Sequence, residues 1–131
     1  EAKTAEEFLH YLDEAEANAR TLLVRDQGRD RFATTQLRAG LGQVLLRAGR
    51  FAEALPLFEQ AIAERRGMIP DAHVLVFAVR INRARALVGL GRKVEARAEL
   101  QAMLPALEAK GAEGASYLDH AREILALIDA G

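Results

Sequence analysis

Cysteine is absent from the 131-residue chain, so disulfide bonds, a thiolate metal site and a cysteine nucleophile are all excluded. A chain without cysteine fits a reducing compartment, and we therefore expect a cytoplasmic protein. Aromatic residues are also scarce, at 5% of the sequence, whereas apolar residues of all kinds make up 50%. The hydrophobic content rests mainly on alanine and leucine, which is typical of closely packed helices.

Long apolar runs and β-type alternation are missing as well. No stretch reaches the ~18 uncharged apolar residues of a transmembrane helix, and the acidic, polar N-terminus is unlike a signal peptide. The one candidate strand, residues 74–77, continues into a helical pattern. The sequence thus predicts an all-α fold and a single domain over residues 1–131. Because it begins at Glu1 rather than methionine, we expect a fragment of a longer protein.

Two amphipathic helices, hinged at a glycine, organise the rest of the chain. Apolar residues recur on both at steps of three and four. The positions that define the pattern are Leu41, Gly42, Leu45, Gly49, Phe51, Ala54, Phe58 and Ala61. Leu-Gly before a glycine turn, with Ala-x3-Phe after it, resembles a tetratricopeptide (TPR) repeat. Arg38 departs from that pattern, because a large aromatic residue is usual at its position. The resemblance implies a right-handed solenoid of antiparallel helix pairs that serves as an interaction module.

Equivalent hinges recur along the sequence. Gly91 follows Gly49 by 42 residues, whereas a TPR repeat usually spans about 34. The long period resembles the kinesin-light-chain-like variant of the family. We predict six helices, namely one at 4–26, a pair at 31–66, a pair at 72–110 and a capping helix at 116–129. The predicted N-caps are Thr4, Asp30, Asp71 and Ser116.

Charge is unevenly distributed. Residues 1–28 have a net charge of −4, residues 29–92 of +6 and residues 93–131 of −3, within a total of −1. Arginines lie on the first helix of each predicted pair, and acids lie on the second helices, which extend into the acidic block at 93–131. The arginines are Arg31, Arg38, Arg47, Arg80, Arg83 and Arg85, and the acids are Glu53, Glu59, Glu64, Glu95, Glu99 and Glu108.

The TPR resemblance implies that the first helices line a peptide-binding groove. The candidate partner-binding residues are Gln43, Arg47, Asn82 and Arg85. Guanidinium groups suit carboxylates, and side-chain amides can bond a peptide backbone. We therefore expect a protein or peptide partner, and an acidic one on the strength of the arginines.

The alternative interpretation is that these arginines pair with glutamates of neighbouring helices or are simply solvated. Arg38 and Arg80 occupy packing positions, so we expect their stems to lie between helices. Arg65 and Arg66 are interpreted as a C-terminal helix pair that suits the macrodipole.

Catalytic chemistry does not emerge from the sequence. The three histidines, His10, His73 and His120, are too scattered for a local metal motif, and no acid–base–nucleophile set is apparent. We expect no enzyme activity, no cofactor and no metal. Two other functions stay open: self-association into a homo-oligomer, and nucleic-acid binding through the basic central helices. The total charge of −1 and the few aromatic residues disfavour nucleic acid.

Overall fold

The computed structural model describes residues 5–26, 31–70 and 73–130. Over these ranges the chain forms six α-helices and no strand, which confirms the all-α prediction. The helices are α1 (Ala5–Asp26), α2 (Arg31–Arg47), α3 (Phe51–Arg66), α4 (Val74–Gly89), α5 (Lys93–Ala109) and α6 (Ala115–Ala130). A short 3₁₀ turn, Gly111–Glu113, joins the last two helices.

The starts of α4 and α6 differ from the predicted caps. Before α4, the His73 side chain accepts a hydrogen bond from the Leu75 N–H at 3.1 Å, so histidine caps this helix. The prediction of Ser116 as an N-cap is wrong, because α6 already begins at Ala115. The Leu118 N–H bonds the Gly114 carbonyl at 2.9 Å, and helical hydrogen bonding therefore starts before Ser116. The other predicted caps, Thr4, Asp30 and Asp71, lie outside the described residues.

Both helix pairs turn at glycines with the same backbone geometry. Gly49 has φ 77° and Gly91 has φ 80°, in the left-handed region that favours glycine. The Gly49 N–H bonds the Leu46 carbonyl at 3.1 Å, and the Arg50 N–H bonds the Leu45 carbonyl at 2.9 Å. The corresponding bonds of the second turn measure 3.0 and 2.8 Å. Each turn is a Schellman motif, which ends one helix and lets the next return antiparallel to it.

A single hydrophobic core runs through the helix stack from α2 to α6. The largest side chains that are fully buried in it include Leu41, Leu45, Phe58, Leu87, Leu100, Met103 and Leu107. Phe58, one of the positions that define the repeat pattern, is fully buried, since its side chain has no exposed surface. Its ring lies so close to Gly42 of α2 that a Cβ there would be 2.6 Å from ring carbon Cε1.

Charged groups join α1 to the first helix pair. Arg50 donates hydrogen bonds to Glu16 of α1 and to Glu53 of α3. Glu16 also accepts a bond from Arg20 at 2.9 Å. The hydrogen bond from Arg50, followed by that from Arg20, holds the pKa of Glu16 below its ordinary value. α1 is therefore attached partly through a carboxylate that prefers to stay ionised.

This ion pair makes the stability depend on pH. Because the folded-state pKa of Glu16 is lowered, its contribution is present above the ordinary carboxyl pKa and is lost as pH falls through the folded value. We expect Glu16→Gln to melt below the wild type at neutral pH and to converge with it in acid. The measurement is the melting temperature as a function of pH. The control is Glu123→Gln, at an exposed site on α6; an equal offset at every pH would contradict the assignment to Glu16.

Candidate functional site

Three consecutive cavities open along the face made by the first helices. α2 contacts α4, and α4 contacts α6, so these helices are neighbours. One cavity of about 230 Å³ lies between α2 and α4 near the end of α3. A second, of about 170 Å³, lies between α2, α4 and α6, and a third, of about 90 Å³, between α1 and α2. We call this row of three cavities the first-helix groove; Gln43 lines all of them.

The four predicted partner-binding residues all line this groove. Gln43 and Asn82 share the largest cavity, and they meet Arg85 in the second. Arg47 lines the third cavity together with Gln43. The structure therefore brings Gln43, Asn82 and Arg85 together, and it places Arg47 one cavity away from Arg85.

Three other arginines of the first helices pair with glutamates of the second helices. The cross-helix pairs are Arg38 with Glu64, Arg80 with Glu99, and Arg83 with Glu59. The Arg80 Nε lies 2.6 Å from a Glu99 oxygen, and its guanidinium lies 5.6 Å from the Phe77 ring centre. Each ion pair joins a first helix to a second helix, and the glutamate neutralises the charge of the arginine. The positive field available to a nucleic acid is reduced accordingly.

Arg47 and Arg85 differ from these three. Within residues 5–26, 31–70 and 73–130, neither guanidinium has a carboxylate partner. Arg47 is exposed and Arg85 is half-buried. The groove therefore holds two arginine charges that the described part of the chain does not pair.

Sequence reasoning missed several residues of the groove. Tyr117 and His120 of α6 line the second cavity, and Tyr11 of α1 lines the third. α6 was predicted only as a cap, and its pattern gave no sign that one face would close the groove. These aromatic side chains add stacking and hydrogen-bonding surface beside Arg85 and Arg47.

Arg65 is the most unexpected member of the site. Arg65 lies beside Arg66 in the last turn of α3, as predicted, but its side chain is 2% exposed and lines the largest cavity of the groove. Its Nη1 donates to the Leu75 carbonyl and its Nη2 to Gln36 Oε1, both at 2.7 Å. Burial lowers the pKa of Arg65, yet a guanidinium remains charged at neutral pH. The cavity thus contains a buried cation held by neutral oxygens.

Other kinds of site find little support in the described ranges. No group of three or more potential metal ligands occurs there, and no helix is long and apolar enough to cross a bilayer. A larger cavity of about 310 Å³ lies between α3, α4 and α5, but its Arg80 and Arg83 are neutralised by Glu99 and Glu59. The first-helix groove is therefore the stronger candidate.

Comparison with known proteins agrees with this architecture. Two family models of the tetratricopeptide repeat match the chain, one over residues 45–113 and the other over residues 9–69. The first covers more than half of the sequence, and both include the Gly49 hinge. No curated protein and no solved structure matches the chain. The chain belongs to the tetratricopeptide repeat family.

Proposed function

We propose that the chain binds an acidic segment of a partner protein in the first-helix groove. TPR repeats generally mediate protein–protein interaction and are typically non-catalytic. The observation that carries the acidic preference is the sorting of the arginines. Arg38, Arg80 and Arg83 are paired with glutamates, whereas Arg47 and Arg85 line the groove without a carboxylate partner in the described residues.

The polar side chains of the groove make complementary contributions to the binding of an acidic peptide. Arg85 supplies planar donors for a carboxylate, and the neighbouring amides of Gln43 and Asn82 can bond an extended backbone. Arg47 is exposed, so its charge attracts an acidic segment before that segment contacts the groove. Selectivity in this arrangement is electrostatic, since Arg47 and Arg85 present charge that the described residues do not pair.

Charge reversal of both groove arginines tests the proposal. We expect Arg47→Glu combined with Arg85→Glu to weaken binding of acidic peptides at least ~10-fold, because a hydrogen bond to a charged group is worth about 1.5–3 kcal/mol. Binding by the wild type should also weaken as salt rises. The measurement is a fluorescence-anisotropy titration against an acidic-peptide library, with circular dichroism to verify folding.

A matched control changes the same charge elsewhere. Arg92 and Arg122 are about half exposed, pair only with Glu95 and Glu108 among the described residues, and line none of the three groove cavities. Exposed pairs of this kind contribute roughly 0–1 kcal/mol. Reversing both should leave peptide affinity near the wild-type value. Equal losses in the two double variants, or no preference for acidic peptides, would contradict the proposal.

Self-association is a second candidate, favoured by apolar side chains exposed on the terminal helices. Val24 of α1 is 66% exposed and Leu127 of α6 is 71% exposed. Copies that stack end to end would cover these side chains. Light scattering over a range of protein concentrations distinguishes this function from peptide capture, because only self-association raises the mass of the isolated chain.

We also propose that the repeats are of the long-period, kinesin-light-chain-like type. The support is the equivalent geometry of Gly49 and Gly91, which lie 42 residues apart. Helices of 16–17 residues flank both turns. Longer first helices give a bound segment more helix surface to contact in each repeat.

A further inference from the structure

The cavity of about 310 Å³ shares no lining residue with the first-helix groove. It lies between the second helices α3 and α5, and α4 completes its wall. The lining residues are Glu59, Ile62, Arg66, Arg80, Arg83 and Glu99. Three arginines and two glutamates give this lining a net charge of +1. We call it the second-helix cavity.

A departure from the repeat pattern places arginine in this cavity. Arg83 follows Leu41 by 42 residues, which is the distance between the two turns. Leu41 is 1% exposed in the core, whereas the Arg83 side chain is 21% exposed. Even a buried ion pair can often be replaced by packed apolar side chains without loss of stability. Stability alone therefore does not explain why the second pair has a charged, solvent-open cavity at this position.

The two glutamates hold the arginines by one edge of the guanidinium and leave the other edge unused. Arg80 Nε donates to Glu99 Oε1 at 2.6 Å. Arg83 donates to Glu59 Oε2 through Nε at 3.2 Å and through Nη2 at 3.0 Å. A guanidinium has five N–H donors, one on Nε and two on each Nη. Both Nη atoms of Arg80 and Nη1 of Arg83 thus make no hydrogen bond within the described ranges.

The unused donors are reachable from solvent. The Arg80 and Arg83 side chains are 20% and 21% exposed. Their remaining nitrogens do not belong to the buried, unpartnered atoms of the described chain, which include Arg65 Nε. The Phe77 ring lies 5.6 Å from the Arg80 guanidinium and, with Glu99, fixes its orientation. Such preorganised donors lose little side-chain entropy when a ligand binds.

We propose that the second-helix cavity binds the phosphate group of a phosphorylated side chain on a partner protein, with Arg80 and Arg83 as the donors. A phosphate monoester has a charge of about −1.5 to −2 and three strong acceptor oxygens. One such group can accept hydrogen bonds from both guanidiniums, whose planar forks suit phosphate. A carboxylate has only two oxygens and less charge, and Glu59 and Glu99 already supply that interaction.

A protein is the partner that the chain favours. TPR repeats generally mediate protein–protein interaction, and the total charge of −1 disfavours nucleic acid. The volume of about 310 Å³ is at the lower end of the ~300–1,000 Å³ range of small-molecule pockets, and it suits one phosphorylated side chain. The inference goes beyond the proposed function, because it concerns another cavity and another ligand.

Structural ion pairing is the competing explanation. The two pairs join α4 to α3 and to α5, and their carboxylates repel an approaching anion. Such a role accounts for the hydrogen bonds that are made, but it does not account for the unused, solvent-reachable donors. It predicts that phosphate affects Arg80 and Arg83 no more than it affects the other ion-paired arginines of the chain.

The first test follows arginine Nε–H resonances in the complete chain by nuclear magnetic resonance. The probes are inorganic phosphate and N-acetyl-O-phosphoserine amide, at constant ionic strength against chloride, with N-acetylserine amide and acetate as controls. Arg92 and Arg122 are internal references, because each pairs with a glutamate but lies outside the second-helix cavity. We expect saturable shifts of Arg80 and Arg83 alone, at lower concentrations of phosphoserine than of inorganic phosphate.

Three results of this titration would overturn the proposal. They are the lack of a saturable shift, an equal shift at all four arginines, and equal shifts with acetate. A phosphoserine probe that bound more weakly than inorganic phosphate would overturn the assignment to a phosphorylated side chain.

The second test uses substitutions and phosphoserine peptides. Arg83→Leu restores the residue type of the first pair, so it should fold, and it should weaken phosphopeptide binding at least tenfold in fluorescence anisotropy. Arg122→Leu removes an ion-paired arginine outside the cavity and should keep the wild-type affinity. Circular dichroism verifies folding. If Arg83→Leu does not fold, Arg83→Lys, which lacks the planar fork, and the wild-type resonances still decide.

The partner and the place of binding are separated in the same assay. Phosphopeptides that depend on Arg47 and Arg85 but not on Arg83 would overturn this inference and assign the phosphate to the first-helix groove. A single-stranded oligonucleotide that bound more tightly than every phosphopeptide and depended on Arg83 would overturn the choice of a protein partner. Phosphopeptide binding that depends on Arg83 supports the inference, whether or not acidic peptides bind the groove.

Discussion

Phe58→Ala is expected to lower the free energy of unfolding by about 3–5 kcal/mol, the usual cost of removing a fully buried aromatic ring. Phe58 has no exposed surface, and its ring lies against Gly42 of α2 within the core that also contains Leu41 and Leu45. Small domains are stable by only ~5–15 kcal/mol. The variant should therefore be largely unfolded or close to it at physiological temperature.

Chemical denaturation followed by circular dichroism measures this effect. Val94→Ala is a suitable control, because it also truncates an apolar side chain but at a site that is 83% exposed. Such a change should alter the free energy of unfolding by less than about 0.5 kcal/mol. If Phe58→Ala unfolded at the same denaturant concentration as the control, the first helix pair would not depend on this ring.

Local signals in the sequence were sufficient to predict the fold. The glycines at 49 and 91 are required by the left-handed φ of each turn, and the apolar period identifies the buried face of each helix. Both signals depend on residues that are close along the chain. The cap of α4 shows the limit of this approach, since His73 takes a role that sequence reasoning gave to Asp71, which lies outside the described residues.

The candidate site was only partly predictable, because charge pairing is a tertiary property. Arg83 and Arg85 are two residues apart, yet one pairs with Glu59 of α3 and the other lines the groove. The TPR resemblance already assigned Arg85 rather than Arg83 to the groove, but only the packing of α3 against α4 gives Arg83 its glutamate partner. Arg65 was missed for the same reason: the sequence shows only that it adjoins Arg66 near the end of a helix, whereas its burial and its hydrogen bonds to α2 and α4 are tertiary.

The second helix pair shows how the repeat tolerates departure from the motif. Ala84 and Leu100 lie 42 residues after Gly42 and Phe58, and both are fully buried. The first pair combines the small Gly42 with the aromatic ring of Phe58. The second pair combines the slightly larger Ala84 with the smaller side chain of Leu100. We expect a shared limit on combined volume at the two equivalent helix–helix contacts to account for both choices, since protein cores are close-packed. The substitution that breaks the motif at Ala84 is thus matched by the one at Leu100.

Gly42→Ala is expected to destabilise the chain, whereas Gly40→Ala, two residues earlier on the same helix, is expected to stabilise it. Alanine gains up to ~1 kcal/mol over glycine from helix propensity at either site. At Gly40 a Cβ would meet nothing within 4 Å, so that gain is retained. At Gly42 the Cβ would lie 2.6 Å from the Phe58 ring, and overpacking of this kind costs about 1–3 kcal/mol.

The double variant Gly42→Ala with Phe58→Leu reproduces the residues found in the second pair and tests the volume limit directly. We expect Gly42→Ala to cost clearly less when leucine occupies position 58, because the ring that the new Cβ would meet is gone. Contacting residues of this kind typically show a coupling of about 0.5–3 kcal/mol. The measurement is the free energy of unfolding of the wild type, the two single variants and the double variant, with Gly40→Ala in both backgrounds as the uncoupled reference. A coupling no larger than that of Gly40→Ala would show that Gly42 is present for some reason other than the space that Phe58 occupies.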